Sequence, residues 1–500
     1  MLSFLLNDKR INFSPAQADL TVLDYLRESK KLTGSKEGCA SGDCGACTVV
    51  LAEVSQTSAG NGSNAAAKLY YRPINSCITF MSALQGKQLI TVEHLANQDK
   101  LHPVQQSMVD HHGSQCGFCT PGFIMSMFAL YHQDIAVNRT VVEHALSGNL
   151  CRCTGYRPII DATLHACANK QVDHFNQNEQ QTIEQLQSLV INDNSDTNLL
   201  TPTSRESLRV AIAAHPTAPL FAGSTDLALQ VTQQLKQFSR LISLSKVTEL
   251  NQLKVLENGL LIGAALPLSD IETSLLHYFP TLNELLSRFA SHPVRNQASL
   301  GGNVANASPI GDLPPVLLAL NATIELDNGL TRRSVKASEF FLDYRQTAMQ
   351  QGEWIEGIYL PFLTANCHLQ AYKISKRMED DISAVCAVFN LTLNDNKVAS
   401  LSCGFGGVAA TPVSINLEAL LKDKPWSDAA TFELGKTLLS QSFEPIDDVR
   451  ASKEYRQHML ISLWRRFWLQ TNSQNQAIAT RTITTRIGQL NTHKVEADHA

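Results

Sequence analysis

The apolar positions of the first 85 residues fall in short runs separated by polar turns, which is typical of small β-sheet domains. Two runs, residues 3–7 and 10–13, predict a β-hairpin. The segment 21–27 then places apolar residues at helical spacing, and Thr21 or Asp19 is suited to cap this helix. We therefore expect short strands packed around one helix.

The pattern changes to helical spacing in residues 86–167. One predicted helix follows Thr120, a candidate cap with proline next to it. A second helix is predicted over residues 141–146, and a third begins at Pro158. The pattern therefore predicts a helical domain in this region.

The rest of the chain divides into a polar segment and two mixed regions. Residues 168–198 are rich in Gln, Asn and Asp, which predicts an extended or poorly ordered linker. Residues 199–379 contain strands, helices and two loops of small residues. Residues 380–485 alternate short strands with a long helix near 455–469, which indicates an α+β domain, and residues 486–500 form a tail.

Composition narrows the classes of function. The chain has 500 residues, of which 44% are hydrophobic, and a formal net charge of −5. It has no Lys/Arg-rich run, which argues against a nucleic-acid partner. No apolar run approaches the ~18 residues of a membrane span, and the N-terminus lacks the pattern of a signal peptide. Twelve cysteines in such a chain suggest thiolate ligands in a reducing compartment, which we expect to be the cytoplasm.

The first cysteine set is Cys39-Ala-Ser-Gly-Asp-Cys44-Gly-Ala-Cys47. The spacing of four and then two residues is the plant-type pattern for a 2Fe–2S cluster, which needs one more thiolate. Cys77 is the expected fourth ligand. A zinc site, a disulfide or a redox dithiol are the alternatives, but zinc sites favour paired C-x2-C units, and only Cys44 and Cys47 have that spacing here.

The second set combines Cys116 and Cys119 with Cys151 and Cys153, at the ends of predicted helices. Four thiolates can bind zinc or an iron–sulfur cluster, and these cysteines alone do not separate the two. The C-x-C half is unusual for structural zinc. The first cysteine set in the same chain favours iron for the second set as well.

Two loops of small residues lie in the region 199–379. They are residues 220–227 and residues 299–312. Such loops can present backbone N–H groups to a pyrophosphate, although Gly-Gly-Asn is common in ordinary turns. Neither loop contains the G-x-G-x-x-G fingerprint, so a Rossmann domain is not expected.

Five motifs together resemble a known family: Glu37–Cys47, Gln115–Gly122, Gly148–Pro158, Ala298–Pro309 and Asp448–Arg456. The chain is similar to the small iron–sulfur/FAD subunits of bacterial xanthine dehydrogenases, within the molybdenum hydroxylase family. The resemblance implies an α+β multidomain fold. Its expected parts are a β-grasp ferredoxin-like domain (residues 1–85), a four-helix 2Fe–2S domain (86–167), a linker (168–198), a two-part α+β FAD-binding domain (199–379) and a C-terminal α+β flavoprotein domain (380–485).

The resemblance also implies cofactor ligands. It makes Cys39, Cys44, Cys47 and Cys77 ligands of one cluster and Cys116, Cys119, Cys151 and Cys153 ligands of the other. The implied FAD contacts are Leu220, Phe221, Ala222, Gly223, Ser224, Thr225, Asp226, Leu227, Phe289, Ser299, Gly301, Gly302, Asn303, Asp312 and Lys373. Asp226 and Tyr344 match positions near a docked NAD+, and residues 376–381 match a loop near the flavin ring.

The chain departs from the family pattern in two places. Ser224 and Asp226 stand where the family often has Asn and Glu, which predicts a small shift of cofactor contacts. Residues 55–67 form a longer insertion than usual, which we expect on the surface.

The implied function is electron transfer. Electrons from a purine, oxidised at a molybdopterin-binding large subunit, would cross the helical-domain cluster, then the ferredoxin-like cluster, then FAD, and reach NAD+. Because the chain ends at Ala500, we expect purine hydroxylation, and its catalytic residues, on the second polypeptide, with two such pairs forming a dimer of heterodimers. The alternatives are the same role for an aldehyde or an N-heterocycle, and a zinc-stabilised binding protein without redox activity.

Overall fold

The computed structural model describes residues 1–14, 16–54, 67–189 and 198–472. The predicted insertion 55–67, apart from its last residue, and the predicted tail 486–500 lie outside these ranges. Among the described residues, no helix combines the length and the apolar character that crossing a membrane requires.

The first unit is a five-stranded sheet with a short α-helix that continues as a π-helix over Tyr25–Ser29. Its elements are β1 (Leu2–Leu6), β2 (Lys9–Phe13), α1 (Val22–Asp24), β3 (Thr48–Val54), β4 (Leu69–Asn75) and β5 (Gln88–Ile90). The strand order is β2-β1-β5-β3-β4. The predicted hairpin is confirmed by the antiparallel pairing of β1 with β2. Thr21 caps α1 by accepting the N–H of Asp24, whereas Asp19 instead accepts the N–H of Phe238.

A helical unit follows, built from α2 (Pro103–Asp110), α3 (Thr120–Tyr131), α4 (Arg139–Ala145) and α5 (Arg157–Ala168). The predicted cap at Thr120 is wrong, because Thr120 is already the first helical residue and Cys119 precedes it. The Thr120 hydroxyl pairs with the Ser114 hydroxyl at 2.7 Å instead. Gly148 has φ +85°, a left-handed conformation that suits the chain reversal after α4.

Within its described residues the predicted linker contains two helices, so its interpretation as extended or poorly ordered is wrong there, and residues 190–197 lie outside the described ranges. It contains α6 (His174–Gln177) and α7 (Glu179–Gln187). Ile183, Leu186 and Leu189 recur every three residues and are buried. Leu186 and Leu189 cover Leu5 on the outer face of β1. The polar composition of the segment therefore concealed a narrow apolar stripe.

The next region contains two main sheets and a small two-stranded sheet, and the two main sheets agree with the expected two-part architecture. The first part has β6 (Leu199–Leu200), α8 (Arg205–Ala214), β7 (Leu220–Phe221), α9 (Leu227–Thr232) and β8 (Leu241–Ser243), with parallel strands in the order β6-β8-β7.

The second part begins with β9 (Leu253–Leu256), β10 (Gly259–Gly263), α10 (Leu268–Tyr278), α11 (Asn283–Ser287), α12 (His292–Arg295), α13 (Leu300–Asn306) and α14 (Leu313–Ala319). It continues with β11 (Thr323–Asp327), β12 (Arg332–Lys336), α15 (Ala337–Phe340), β13 (Phe341–Asp343), β14 (Gln346–Thr347) and β15 (Trp354–Pro361). Its main sheet is antiparallel in the order β12-β11-β15-β10-β9. Much of the segment expected to be a loop at 299–312 is therefore the helix α13.

The last unit is a three-stranded antiparallel sheet covered by helices. It comprises β16 (Cys367–Ile374), β17 (Val385–Asn394), β18 (Lys397–Gly406), α16 (Leu417–Leu421), α17 (Ala429–Gln441) and α18 (Lys453–Thr471). Phe389, Trp464 and Phe467 are fully buried at the contact of α18 with the sheet. The multidomain α+β fold expected from the sequence is thus confirmed.

Candidate functional site

The first cysteine set is held by the loop before β3 and the turn after β4. Cys47 and Cys77 are buried, and their sulfur atoms lie 3.2 Å apart. The hydrogen bond between them lowers the pKa of Cys47 and raises that of Cys77. Cys39 and Cys44 form a second pair. The thiol of Cys44, with the N–H groups of Ser41 and Cys44, lowers the pKa of Cys39 to about 4.

Backbone N–H groups point at these sulfurs. The N–H groups of Ser41 and Cys44 lie 3.4 and 3.3 Å from Cys39 Sγ. Gly38 leaves the room that Cys44 needs, since a Cβ at Gly38 would lie 2.7 Å from Cys44 Sγ. Such N–H donors stabilise thiolate charge, which is the environment that an iron–sulfur cluster uses.

The second cysteine set joins the start of α3 to the segment between α4 and α5. Interaction with Cys151 contributes to raising the pKa of Cys119, and interaction with Cys116 raises the pKa of Cys153, so the thiols of this set act in two pairs. Burial raises the pKa of Cys119 to about 12, whereas hydrogen bonds from Thr154 outweigh the burial of Cys151 and lower its pKa. Cys116 and Cys153 are exposed, so this set faces solvent on one side.

The paired arrangement of the sulfurs fits iron better than zinc. In a tetrahedral zinc site with Zn–S distances of about 2.3 Å, all four sulfurs lie within ~4 Å of one another. In the described part of the chain, only His102, His132 and Asp173 bring three metal-binding atoms within 4.8 Å of one another. Both cysteine sets therefore form two separated pairs, which fits a two-iron cluster with two thiolates on each iron.

The two cysteine sets are in direct contact. The N–H of Leu150, next to Cys151, donates to the carbonyl of Cys44 at 2.9 Å. Asn149 is buried, and its amide donates to Gly45 O and to Thr48 Oγ1 at 3.1 and 3.3 Å. Sequence reasoning missed the role of Asn149, for which its position two residues before Cys151 was the available signal.

The predicted flavin residues 220–227 lie in β7 and in the turn leading to α9. Gly223 packs against backbone, since a Cβ there would lie 1.8 Å from Gln297 O. Ser224 has φ +61° and is buried. Its hydroxyl donates to Ile78 O at 2.7 Å, next to Cys77. This turn therefore contacts the first cysteine set.

The second predicted flavin segment begins at α13. Ser299 caps this helix by accepting the N–H of Gly302 at 3.0 Å. A Cβ at Gly302 would meet only Ser299 Oγ, at 3.1 Å, whereas one at Gly301 would collide with Ala264. Asn303 Oδ1 is buried without a hydrogen-bond partner among the described residues. An open glycine beside an unsatisfied amide oxygen fits a polar cofactor at this surface.

Asp312 and Lys373 form a buried ion pair, with Nζ 2.7 Å from Oδ2. Lys373 also donates to Arg288 O, and Ser383 donates to Asp312. Arg288 donates to Lys373 O and to Met378 O, both at 2.9 Å. These contacts fix the start of the predicted flavin-ring loop, residues 376–381. Within it, burial and the nearby Asp43 carboxylate raise the pKa of Asp380 to about 6.

The remaining predicted residues are more scattered. Phe289 packs at the edge of the main core beside α12. Asp226 precedes α9, and its side chain does not cap the helix. Tyr344 follows β13 with 58% of its surface exposed. Within the described residues, no hydrogen bond joins Tyr344 to Asp226.

The buried Arg295 was not predicted from the sequence. It is 2% exposed and donates to the carbonyls of Phe289 and Ala290 and to His144 Nε2, at 2.9, 2.9 and 2.7 Å. Its charge adds to burial in lowering the pKa of His144 to about 4 and that of His292 to about 3. Both imidazoles are therefore neutral near neutral pH.

His102, His132 and Asp173 form a compact cluster that resembles a metal site. His102 Nδ1 accepts the N–H of Val104, so the proton lies on Nε2 and is donated to Asp173 Oδ2 at 2.7 Å. His132 Nε2 lies 3.0 Å from the same oxygen, within ion-pair distance but outside hydrogen-bond geometry. A protonated Nε2 is not a metal ligand, so we interpret the cluster as the attachment of α6 to the helical unit.

Matches to known protein families cover nearly all of the described residues. Residues 4–82 match 2Fe-2S iron-sulfur cluster binding domains, and residues 91–164 match the 2Fe-2S binding domain of a second family. Residues 195–363 match the FAD binding domain in molybdopterin dehydrogenase, and residues 370–471 match the CO dehydrogenase flavoprotein C-terminal domain. The chain belongs to the molybdenum hydroxylase family.

Several members of this family are similar in sequence. The chain is 33% identical over 539 aligned positions to xanthine dehydrogenase of Emericella nidulans, covering 95% of this chain and 39% of that protein. It is 31% identical to xanthine dehydrogenase 1 of Arabidopsis thaliana, covering 93% of this chain and 39% of that protein. It is also 31% identical to xanthine dehydrogenase/oxidase of Mus musculus, covering 94% and 39%. The chain thus spans about two fifths of the length of these relatives.

Solved structures of the family share the fold. Quinoline 2-oxidoreductase from Pseudomonas putida 86 aligns with a TM-score of 0.50 and 24% identity, covering 55% of this chain and 96% of that chain. A carbon monoxide dehydrogenase from Hydrogenophaga pseudoflava aligns with a TM-score of 0.51 and 22% identity, covering 53% and 93%. The two iron–sulfur domains and the FAD-binding domain of this chain support two 2Fe–2S clusters and FAD as its cofactors.

Proposed function

We propose that this chain is the electron-transfer subunit of an NAD+-dependent xanthine dehydrogenase. In this proposal Cys39, Cys44, Cys47 and Cys77 hold one cluster, Cys116, Cys119, Cys151 and Cys153 hold the other, and FAD lies between residues 220–227 and 299–312. The observation that best supports this proposal is the hydrogen bond from the Leu150 N–H to Cys44 O, which joins the two cysteine sets. Ser224, before α9, and Gln233, just after it, contact the first cysteine set and extend the route towards the proposed flavin site.

The contacts support a defined order of electron flow. The second set is exposed at Cys116 and Cys153, so electrons would enter there from a molybdenum partner. The first set is more buried and lies between the helical unit and the predicted flavin segment. Electrons would therefore pass through the helical-domain cluster, then the ferredoxin-like cluster, then FAD.

The residues of this chain bind and orient the centres rather than react with the purine. Thiolates hold the irons, N–H groups at Cys39 stabilise their charge, and Asn149 fixes one cysteine loop against the other. When bound, the clusters would carry single electrons, and the flavin would collect two of them with one proton and supply a hydride to NAD+. The Asp312–Lys373 ion pair would orient polar groups beside the flavin ring.

Xanthine as the substrate is supported by the relatives that carry that activity in their names. The proposal includes a molybdopterin-binding partner subunit, assembly as a dimer of two such pairs, and a cytoplasmic location. Asp226 and Tyr344 are proposed on the NAD+ side.

Co-purification with the molybdenum partner tests the proposal. We expect the isolated chain to reduce an artificial dye with NADH and to leave xanthine unchanged. Adding the partner should produce NADH from xanthine and NAD+. If the assembled enzyme turned over an aldehyde or an N-heterocycle but not xanthine, the proposed substrate would be wrong. A colourless protein that contains zinc would overturn the proposed electron-transfer role.

The proposed NAD+ side has its own test. Replacing Tyr344 by Ala should raise the concentration of NAD+ needed for half-maximal rate and leave xanthine-driven dye reduction unchanged. A parallel loss of both activities would mean that Tyr344 supports the fold or the flavin.

A further inference from the structure

One short segment links the predicted flavin turn to both sides of the ferredoxin-like cluster loop. This segment, residues 223–233, begins at Gly223 in the turn and ends just after α9. At its start, Ser224 Oγ donates to Ile78 O at 2.7 Å, and Ile78 directly follows Cys77. The segment therefore contacts one end of the first cysteine set through the turn itself.

The other end of the segment reaches the opposite side of the same set. Gln233 Nε2 donates to Cys39 O and to Ala40 O, both at 3.0 Å. Thr232 Oγ1 donates to Ala40 O at 2.6 Å. Cys39 is itself one of the paired thiols. Two flanks of the cluster loop are thus held by groups eight or nine residues apart on one segment.

Apolar packing makes this segment a stiff connection. Ala228 is fully buried in the core that also contains Cys47, Cys77 and Phe221. Phe221 meets Phe80 edge to face, with ring centroids 5.4 Å apart. A displacement of the flavin turn would therefore move the cysteine loop with it.

We propose that Ser224, Thr232 and Gln233 are positioning residues for electron transfer between the ferredoxin-like cluster and FAD. This inference rests on the proposed electron-transfer function and adds the residues that set one of its steps. In that step one electron leaves the reduced cluster and enters the flavin, so the cluster is oxidised by one electron and the flavin is reduced by one. Electron transfer through protein depends steeply on distance and on intervening bonds, and these hydrogen bonds fix both.

The test uses the assembled protein with all its cofactors. Thr232→Val and Gln233→Leu remove the donors to Cys39 O and Ala40 O, and Ser224→Gly removes the hydroxyl while suiting the positive φ. The matched control is Gln234→Leu, an exposed neighbour on the same turn. A one-electron viologen radical reduces the clusters in a rapid pulse, and flavin absorbance then reports the arrival of electrons.

We expect the Thr232→Val/Gln233→Leu double variant to keep its iron, sulfide and FAD and to lower the cluster-to-flavin rate at least about threefold. Ser224→Gly should lower it further in the triple variant, while Gln234→Leu keeps the parent rate. A parent rate in the double variant with full cofactor content would overturn the proposal. If the parent protein itself contained no iron or flavin, the proposed electron-transfer function would be refuted instead. Failure of the positioning proposal and failure of the proposed function are therefore distinguishable.

A second readout separates positioning from general destabilisation. The electron paramagnetic resonance signal of the ferredoxin-like cluster should change in the double variant. The reason is that the carbonyls of Cys39 and Ala40, beside the cluster, lose their hydrogen bonds from Thr232 and Gln233. The signal of the helical-domain cluster should stay unchanged. Equal changes in both signals would point to loss of structure and would count against the proposal.

Discussion

At the scale of single residues, the cysteine pairs predict separable clusters. Cys44→Ser should remove the signal of one cluster and about half of the iron, and Cys119→Ser should remove the other. The reason is that each change breaks one pair while leaving the second set of four thiolates intact. Iron and sulfide analysis with electron paramagnetic resonance measures this. Loss of both signals from one change, in a folded protein, would contradict separate clusters.

Gly302 predicts a specific loss of flavin. Gly302→Asp places a carboxylate where we propose the pyrophosphate, and like charges repel. An acidic residue in the first turn of α13 favours the helix, so the fold should persist. We expect flavin absorbance to disappear while both iron signals remain.

Gly302→Ala is the matched control. Within the protein its Cβ would meet only Ser299 Oγ, at 3.1 Å, and it adds no charge, so the variant should lose less FAD than Gly302→Asp. Full FAD content in Gly302→Asp would place the pyrophosphate elsewhere.

The buried imidazoles beside Arg295 predict acid sensitivity. The pKa of His144 is about 4 in the folded protein and ~6.5 when unfolded. Between these values the unfolded chain binds a proton that the native state does not, so stability falls as pH drops from ~6.5 to 4 and then levels off. His292, with a pKa of about 3, extends the same trend to lower pH.

Urea unfolding between pH 4 and 7 measures this effect. His144→Gln should make the pH dependence shallower by about one proton, which is up to ~1.4 kcal/mol per pH unit. The exposed His458→Gln should leave the slope unchanged. Equal slopes in the parent protein and in His144→Gln would contradict the burial of a neutral imidazole.

At the scale of elements, the attachment of α6 and α7 depends on Asp173. Its carboxylate accepts the N–H of Asn176 at the start of α6 and the Nε2 proton of His102. Burial opposes the charge, but these bonds outweigh it and lower the pKa of Asp173. Asp173→Ala should cost about 2–4 kcal/mol locally, because it removes a cap and leaves the buried Nε2 donor of His102 unpaired.

Hydrogen exchange of amides 176–187 reports this loss. We expect faster exchange in that segment alone, while the exposed Asp134→Ala behaves like the parent protein. Unchanged exchange in Asp173→Ala would mean that the apolar stripe of α7 holds the segment without the polar cluster.

At the scale of the whole molecule, the exposed second cysteine set predicts the partner face. Phe118, Leu150 and Tyr156 are 47%, 45% and 37% exposed around it. Apolar groups in such a position are typical of interface centres. Leu150→Glu should weaken binding of the molybdenum partner at least about tenfold and keep both iron signals.

Leu330→Glu provides the control for this face. Leu330 is 78% exposed and lies between β11 and β12, far along the chain from the cysteines. Its substitution should leave partner affinity unchanged, as measured by titration calorimetry. Equal affinities for Leu150→Glu and the parent protein would move the partner to another surface.

The sequence alone predicted the features that depend on local spacing. The hairpin of β1 and β2, the cap at Thr21 and the helix α18 follow from short-range patterns, and the structure confirms them. Cysteine spacing likewise fixes which thiolates share one loop, because a few residues of chain cannot separate Cys44 from Cys47 by more than a short distance.

Tertiary structure decided what depends on contacts between distant parts of the chain. The polar segment 168–198 contains helices because Leu186 and Leu189 pack against Leu5 and because Asp173 accepts a hydrogen bond from His102. Residue 301 in α13 has to be glycine because the helix packs so closely on Ala264 that no side chain fits there. The contacts of Leu150 with Cys44 and of Ser224 with Ile78 join residues 106 and 146 positions apart. No local pattern encodes such pairs, since their free energy appears only once the domains have packed.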